Sequence, residues 1–154
     1  MIRIRKMAES DIPEVARMEK TIFADPWSEK VYRETFELPE AGYVVATDVS
    51  GDREEIIGAA GVRNIVGTGE ITNVMISPGF RGRGIAKKML ADLLELGRQL
   101  GACDFTLEVR VSNKPAIRLY ESLGFESEGI RPGFYRNPVE DAAIYWLRQH
   151  NNNI

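Results

Sequence analysis

The feature that most constrains the fold of this chain is a glycine-rich turn between a short apolar run and an amphipathic stretch. Residues Val74–Ile76 are typical of a β-strand, which we expect to end before Pro78. The turn Arg81–Ala86 contains two glycines, and apolar residues recur after it with helical spacing. The first N–H groups of a helix have no partner within the helix and attract anions, and glycines let an anion approach the backbone. The sequence therefore predicts a strand, a phosphate-binding loop and a helix in direct succession.

Two widespread phosphate-binding loops do not match this turn. A P-loop requires Lys and then Ser or Thr after its last glycine, but Ile85 and Ala86 follow Gly84. A dinucleotide-binding fingerprint requires a third glycine at position 87, which is a lysine here. The pattern that remains, Arg-x-x-Gly-x-Ala over residues 81–86, resembles the pyrophosphate loop of the GNAT N-acetyltransferases, whose co-substrate is acetyl-CoA. The motif alone leaves open an ordinary glycine-rich connection before a helix.

Composition limits the classes of function. The chain has 154 residues, enough for one domain with its own core, and its net charge of -3 argues against nucleic acid as the main ligand. No apolar run has the length of a membrane span, and we find no signal-peptide core. The one cysteine, Cys103, reads as a buried strand residue, and with the one histidine, His150, it cannot form an ordinary zinc site. We expect one cytoplasmic N-acetyltransferase domain over residues 1–150 with a polar, solvated tail over 151–154, and no metal, nucleic acid or membrane partner.

The order of predicted elements indicates the fold class. Asp11, with Pro13 and Glu14 after it, predicts the N-cap and first turn of one helix, and Ser28 predicts the N-cap of a second helix. Further helices are predicted over residues 84–101 and 113–124, and strands over 1–5, 43–47, 55–64, 70–77, 105–111, 125–129 and 142–147. Hairpins early and helix crossovers late predict an α/β fold with a mixed, mostly antiparallel central sheet and helices on both faces. A GNAT domain has this order of elements.

A second motif is similar to one branch of that family. Residues Leu107–Phe125 resemble the signature Leu-Glu-Val-Arg-x-Ser-Asn-x-x-Ala-Ile-x-Leu-Tyr-x-x-x-Gly-Phe of the RimI-like enzymes, ribosomal-protein-alanine N-acetyltransferases that acetylate protein N-termini. The resemblance implies that Glu108 is the proton acceptor, that Tyr120 is the proton donor, and that Asn113 contacts the pantetheine arm or a bridging water. It also implies that the backbone holds the pantetheine at Val74, Met75 and Ile76, and that the pyrophosphate is wrapped by Arg81, Gly82, Arg83, Gly84, Ile85, Ala86 and Lys87.

The proton transfers of an acetyl transfer to an amine require residues of the same types. An α-amino group has a pKa of about 7.7–8.0, so near neutral pH most of it is an ammonium that cannot attack a thioester. A carboxylate can take that proton directly or through a water, and a phenol can give a proton to the departing thiolate. The oxyanion would meet a backbone N–H at Met75 or Ile76. Taken alone, Glu108 could be a solvated strand residue, Tyr120 a core aromatic, and the basic residues of the loop a solvated face.

The resemblance also indicates where an acceptor peptide lies. It implies a binding place between residues 23–28, where Pro26 and Trp27 form a wall, and a loop over 130–138, where Tyr135 holds the peptide backbone. Pro26 and Trp27 could equally form a hydrophobic staple for the second helix. In the second segment Phe134 stands where the family has the first of two tyrosines.

These observations favour acetyl transfer from acetyl-CoA to the N-terminal α-amine of a protein, with the alanine of a small-subunit ribosomal protein as the expected acceptor. Two alternatives stay open. One is an acetyltransferase for small amines such as polyamines or aminoglycosides, and the other is a non-catalytic module that binds acetyl-CoA. We expect a monomer or a weak homodimer.

Overall fold

The computed structural model describes residues 1–149. In chain order its elements are β1 (Ile2–Lys6), a 3₁₀ turn (Glu9–Asp11), α1 (Ile12–Ile22), α2 (Glu29–Phe36), β2 (Ala41–Asp48), β3 (Glu55–Ile65), β4 (Thr68–Ile76), a 3₁₀ turn (Pro78–Phe80), α3 (Ile85–Gln99), β5 (Asp104–Arg110), α4 (Lys114–Ser122), β6 (Glu126–Tyr135) and β7 (Glu140–Leu147).

The seven strands form one sheet in the order β1-β2-β3-β4-β5-β7-β6. Neighbouring strands are antiparallel except for β4 and β5, which are parallel because the connection between them crosses over through α3. The predicted mixed, mostly antiparallel α/β fold is thereby confirmed. None of the helices between residues 1 and 149 combines the length and the apolar character needed to cross a bilayer.

The two parallel strands are paired over a short distance only. Three positions match, at Thr68–Glu70 of β4 and Asp104–Thr106 of β5. Beyond them β4 stays paired with β3, and β5 stays paired with β7. The centre of the sheet therefore opens into a gap, bounded by the C-terminal half of β4 and the C-terminal half of β5.

Apolar side chains fill the space on both faces of the sheet. One core cluster lies under α3 and α4, where Met89 and Leu93 are fully buried. The other lies under α1 and α2 and includes Ile12, Val15 and Tyr32. Burial of both faces explains why β3 reads as a nearly continuous apolar run from Ile56 to Val62.

The three helices with predicted caps begin at the predicted positions, and two of the three predicted side-chain caps form. The Ser28 hydroxyl accepts a hydrogen bond from Val31 N at 3.2 Å, and Asn113 Oδ1 accepts one from Ala116 N at 3.3 Å. Asp11 is the N-cap residue of α1, as predicted, but its side chain accepts no hydrogen bond from that helix. Its carboxylate accepts from Ala8 N and from the Arg5 guanidinium, each at 2.7 Å, and so closes the 3₁₀ turn before α1.

Two other local predictions need correction. Cys103 is exposed, because β5 begins one residue later and the buried neighbour is Ala102. The predicted acceptor loop over 130–138 is mostly strand, since β6 continues to Tyr135 and leaves only 136–139 as the connection to β7. His150 and the tail lie outside the described residues.

Candidate active site

The gap between β4 and β5 exposes backbone hydrogen-bonding groups of β4. Ser77 N donates to Ile57 O of β3 at 2.8 Å, so by the alternation along an antiparallel strand the N–H and C=O of Ile76 point to the opposite edge. Ile76 O there accepts from Arg81 Nε at 3.0 Å. By the same alternation Val74 faces the gap and Met75 faces β3. Of the three predicted pantetheine contacts, Val74 and Ile76 therefore have backbone groups at the open edge.

The glycine loop forms a cradle just beyond this edge. Gly82 and Gly84 have φ angles of 78° and 74°, and a Cβ atom on either would meet no atom within 4 Å. These glycines are therefore required by the backbone conformation, and the space in front of them is open. Gly84 is the N-cap of α3, so the first N–H groups of that helix border the space. This arrangement fits an anionic phosphate group.

The side chains of the loop mostly contact neighbouring residues and so stabilise its conformation. Arg83 donates to Gly79 O at 3.2 Å, and its guanidinium carbon lies 5.1 Å from the centre of the Phe80 ring. The side chain of Ile85 is buried and that of Ala86 is half-buried, so these residues can offer a ligand mainly their backbone N–H groups. Lys87 is exposed on the first turn of α3 and adds positive charge there. The predicted pyrophosphate contacts thus combine backbone donors with nearby cations.

The predicted acid and base lie on opposite faces of the sheet. Along β5 the residues Phe105, Leu107 and Val109 point into the core under α3 and α4, which turns Glu108 to the face shared with α1 and α2. The Glu108 side chain is 32% exposed. Tyr120 is buried on the other face, with its ring centre 5.9 Å from that of Phe125. Because the sheet is open between β4 and β5, a ligand lying in the gap could meet both side chains.

Tyr135 lies near both of these residues. Burial, and then the charge of Glu108, raise the pKa of Tyr135 to about 12. Burial is also the main reason that the pKa of Tyr120 is raised above its ordinary value, and Tyr135 adds to that shift. Both phenols therefore keep their protons at neutral pH. Tyr135 is thus near enough to Glu108 for that charge to act on it, and near enough to Tyr120 to affect its pKa, although the three residues are far apart in the sequence.

Arg110 holds the β6–β7 connection in place and was not predicted as a site residue. Its guanidinium carbon lies 4.5 Å from the centre of the Tyr135 ring, and its nitrogens donate to Pro138 O at 3.0 Å and Arg136 O at 2.8 Å. It also forms an ion pair with Glu140 at 3.2 Å. A hydrogen bond from Ser112 is the main cause that lowers the pKa of Glu140, so this carboxylate is ionised at neutral pH. The alternation of β5, which puts Arg110 on the same face as Glu108, is the sequence signal for it.

The two segments predicted to hold an acceptor meet at the mouth of the gap. Asn137 Nδ2 donates to Asp25 Oδ1 at 3.4 Å, joining the β6–β7 connection to the loop between α1 and α2. Trp27 in that loop is half-buried and packs edge-on against Tyr32 with ring centres 5.4 Å apart, whereas Pro26 is exposed. Trp27 therefore packs on the second helix, as the staple alternative requires, and also forms part of the rim.

Asn113, at the start of α4, uses its side-chain oxygen as the helix cap, so its amide nitrogen remains to donate to a ligand.

Across the part of the chain that the structure describes, no three His, Cys, Asp or Glu residues are grouped as a metal site. The groups at the gap are therefore backbone amides, one carboxylate, two phenols and several guanidinium or ammonium groups.

The model of the acetyltransferase (GNAT) family matches residues 12–125. The chain belongs to this family. A Bacillus subtilis (strain 168) protein, provisionally named a ribosomal protein bS18-alanine N-acetyltransferase, is 34% identical over 145 residues, which cover 94% of this chain and 93% of that protein. A ribosomal protein bS18-alanine N-acetyltransferase of Salmonella typhimurium is 32% identical, with 96% of this chain and 97% of that protein covered.

A solved structure gives the same result for the fold. The ribosomal-protein-S18-alanine N-acetyltransferase of Escherichia coli superposes with a TM-score of 0.85 at 27% identity, covering 100% of this chain and 99% of that one. Membership of the GNAT family confirms the predicted enzyme class, an acetyltransferase, and its predicted co-substrate, acetyl-CoA. The likeness of the whole chain to these proteins also confirms the predicted resemblance to the RimI-like branch.

Proposed function

We propose that this acetyltransferase transfers the acetyl group of acetyl-CoA to the N-terminal α-amine of a protein, with the alanine of a small-subunit ribosomal protein as its acceptor. The observation that carries the proposal is the gap between β4 and β5, with the glycine loop beside it and Glu108 on the strand that borders it, and we assign Tyr120 and Tyr135 to the same site. The relatives named for alanine acetylation of ribosomal protein bS18 support this choice of acceptor.

Acetyl-CoA supplies an acyl group activated as a thioester. The N–H groups at Gly82–Lys87 would hold its pyrophosphate, helped by the charge of Lys87. The N–H groups of Val74 and Ile76 at the open edge of β4 would bind the pantetheine arm as an added strand does. Ile76 is the better placed of the two predicted oxyanion donors, because Met75 faces β3.

Glu108 would act as the base. Its carboxylate attracts the α-ammonium of the acceptor and accepts the proton that must leave before the nitrogen can attack. The side chain is 32% exposed, so a water can stand between it and the amine. This exposure favours transfer of the proton through a water over direct contact.

Tyr120 would act as the acid. Burial keeps its phenol protonated at neutral pH, so it holds a proton for the thiolate that leaves. It lies on α4, the element after the strand that carries Glu108, and it would reach the gap from the opposite face of the sheet.

The rim of the gap would select the acceptor. Tyr135, fixed under Arg110, and the Pro26–Trp27 wall would contact the first backbone groups of an entering peptide. An α-amine is about two pKa units more acidic than a lysine side chain, so a single carboxylate can deprotonate it more readily. A small first residue such as Ala or Ser suits the space between the two segments.

The proposal is tested by following CoA release with a panel of acceptors: peptides that begin with Ala or Ser, a peptide whose only amine is an internal lysine, and free polyamines and aminoglycosides. We expect rapid release with the Ala and Ser peptides and slow release with the lysine peptide. Faster release with a small amine than with every peptide would replace the proposal with the small-molecule alternative. Binding of acetyl-CoA without any transfer would favour a non-catalytic module.

A further inference from the structure

A buried carboxylate on α1 takes no part in the chemistry described above. Glu19 is only 1% exposed and completes the inward stripe of α1 formed by Ile12, Val15 and Ala16. A carboxylate removed from water is unfavourable unless hydrogen bonds replace its hydration. Its environment must therefore supply hydrogen-bond donors. The elements that carry those donors are the ones that Glu19 links.

Three donors from three different elements meet on this one side chain. The backbone N of Trp27, in the loop that forms the acceptor wall, donates to Oε2. The hydroxyl of Tyr32 on α2 donates to Oε1. The side-chain amide of Asn73 on β4 donates to the same oxygen at 2.9 Å. Both carboxylate oxygens are thus engaged, and the contacts link the acceptor wall to the strand that borders the gap.

Asn73 has an unusual backbone at the point of contact. Its φ angle is 58°, in the left-handed region, and the β3–β4 register shifts here because Asn73 and Val74 both lie opposite Ala60. A bulge of this kind changes the direction of a strand. It lies at the start of the part of β4 in which the backbone groups of Val74 and Ile76 face the gap.

The amide of Asn73 is held in one orientation. Its nitrogen donates to Glu19, while its oxygen is buried without a hydrogen-bond partner among residues 1–149. A buried acceptor left unpaired is unfavourable. The structure therefore retains the hydrogen bond from the Asn73 amide nitrogen to Glu19, although the Asn73 side-chain oxygen stays unpaired.

We propose that Glu19 is a positioning residue, which locks the Trp27 wall against the bulge of β4 and so fixes the entering amine relative to the thioester. The inference rests on the proposed function, since it assigns the acceptor to the Trp27 side of the gap. Errors of about 1 Å in the placement of reacting groups reduce rates strongly, by about 10²-fold. A lock between the two binding segments prevents such errors.

A reciprocal exchange of donor and acceptor tests the lock. Asn73→Asp places a second carboxylate against Glu19, and Glu19→Gln removes one of the two oxygens that accept hydrogen bonds. We expect each single variant to lower kcat/KM for an Ala peptide by about tenfold or more, with a smaller change in the Kd of acetyl-CoA. The double variant Glu19→Gln with Asn73→Asp restores a donor facing an acceptor, and we expect it to recover most of the activity lost by Asn73→Asp. Glu14→Gln, at an exposed position of the same helix, is the matched control and should behave as wild type.

A second readout does not depend on catalysis. In a Trp146→Phe background Trp27 is the only tryptophan. Acrylamide should quench the fluorescence of Trp27 more strongly in Glu19→Gln than in the background protein. In the double variant this increase in quenching should be smaller. If wild type acetylates no peptide, the proposed function fails, but the quenching measurement still tests the lock.

Three results would overturn the inference. These are single variants with unchanged kcat/KM and unchanged quenching, losses that simply add in the double variant, or parallel losses of acetyl-CoA binding and peptide turnover. If Glu19→Gln does not fold, Tyr32→Phe removes one donor while keeping the ring, and the same measurements apply.

Discussion

Arg131 and Glu108 form an ion pair with 3.8 Å between Nη1 and Oε1, although they lie on strands β6 and β5 with β7 between them. The Arg131 side chain is 58% exposed, and exposed pairs of this kind contribute little to stability. The carboxylate can therefore exchange the guanidinium for the α-ammonium of an acceptor at small cost.

Replacing Glu108 by Gln should lower the turnover of an Ala peptide by about 10²-fold, the loss expected for a general base, equivalent to about 2.7 kcal/mol in the activation barrier. Raising the pH should restore part of the rate, because more of the amine is then neutral without help. The Kd of acetyl-CoA from calorimetry should hardly change. Glu126→Gln, at an exposed position of β6, is the control, and wild-type turnover of Glu108→Gln at neutral pH would exclude the base assignment.

Tyr120→Phe should also slow turnover, but a higher pH should not restore it, because the missing group is a proton donor. Burial raises the pKa of Tyr120, so the wild-type phenol stays protonated well above neutral pH and loses its proton only as the pH passes the raised value. The rate of the wild-type enzyme should therefore rise through the pKa of the acceptor amine and show no alkaline decline below a pH of about 10. A decline near pH 8 would contradict the role of a buried phenol as the acid.

Gly84→Asp should weaken acetyl-CoA binding by about tenfold or more, because it adds a side chain and a negative charge where an anion is expected. The matched control is Gly67→Asp in the β3–β4 turn. Gly67 also has a positive φ, of 89°, and open space around its Cβ position, but it lies at the opposite end of β4. Both variants place a side chain on a residue with positive φ. Equal losses of affinity in the two would therefore show that the loop is not part of the acetyl-CoA site.

Tyr135→Ala should raise the KM for a peptide by about tenfold or more, while the Kd of acetyl-CoA stays the same, because the ring lies at the rim and is not part of the loop. Tyr135→Phe keeps the ring that packs under Arg110 and so separates the contribution of the hydroxyl. A change in acetyl-CoA affinity equal to the change in peptide KM would instead indicate that Tyr135 supports the whole site.

Much of this architecture was determined locally and could be predicted from the sequence. The glycine loop before α3 follows from the need for positive φ at Gly82 and Gly84, and the caps at Ser28 and Asn113 follow from side chains that satisfy nearby N–H groups. The alternation of β5 is also local, and it turns Glu108 away from the core formed by its neighbours. Each of these signals involves residues within one or two turns of the chain.

Contacts between distant segments could not be predicted in this way. Asp11 is a good N-cap residue by type, but Arg5 and the 3₁₀ turn compete for its carboxylate, so its side chain does not cap α1. Cys103 was predicted to be buried from its apolar neighbours, whereas the actual start of β5 leaves it exposed. The signal for Glu19, a charged residue in an otherwise apolar helical stripe, was present, but its partners come from three other elements.

The sequence by itself determined the order of elements and the glycine loop before α3, because these depend on backbone preference and spacing along the chain. Only the tertiary structure decided that β4 and β5 separate after three paired positions, and that Tyr135 and Arg110 come together beside Glu108. Strand pairing and side-chain contacts across the sheet depend on how all seven strands pack at once, and no short stretch of the chain contains that information.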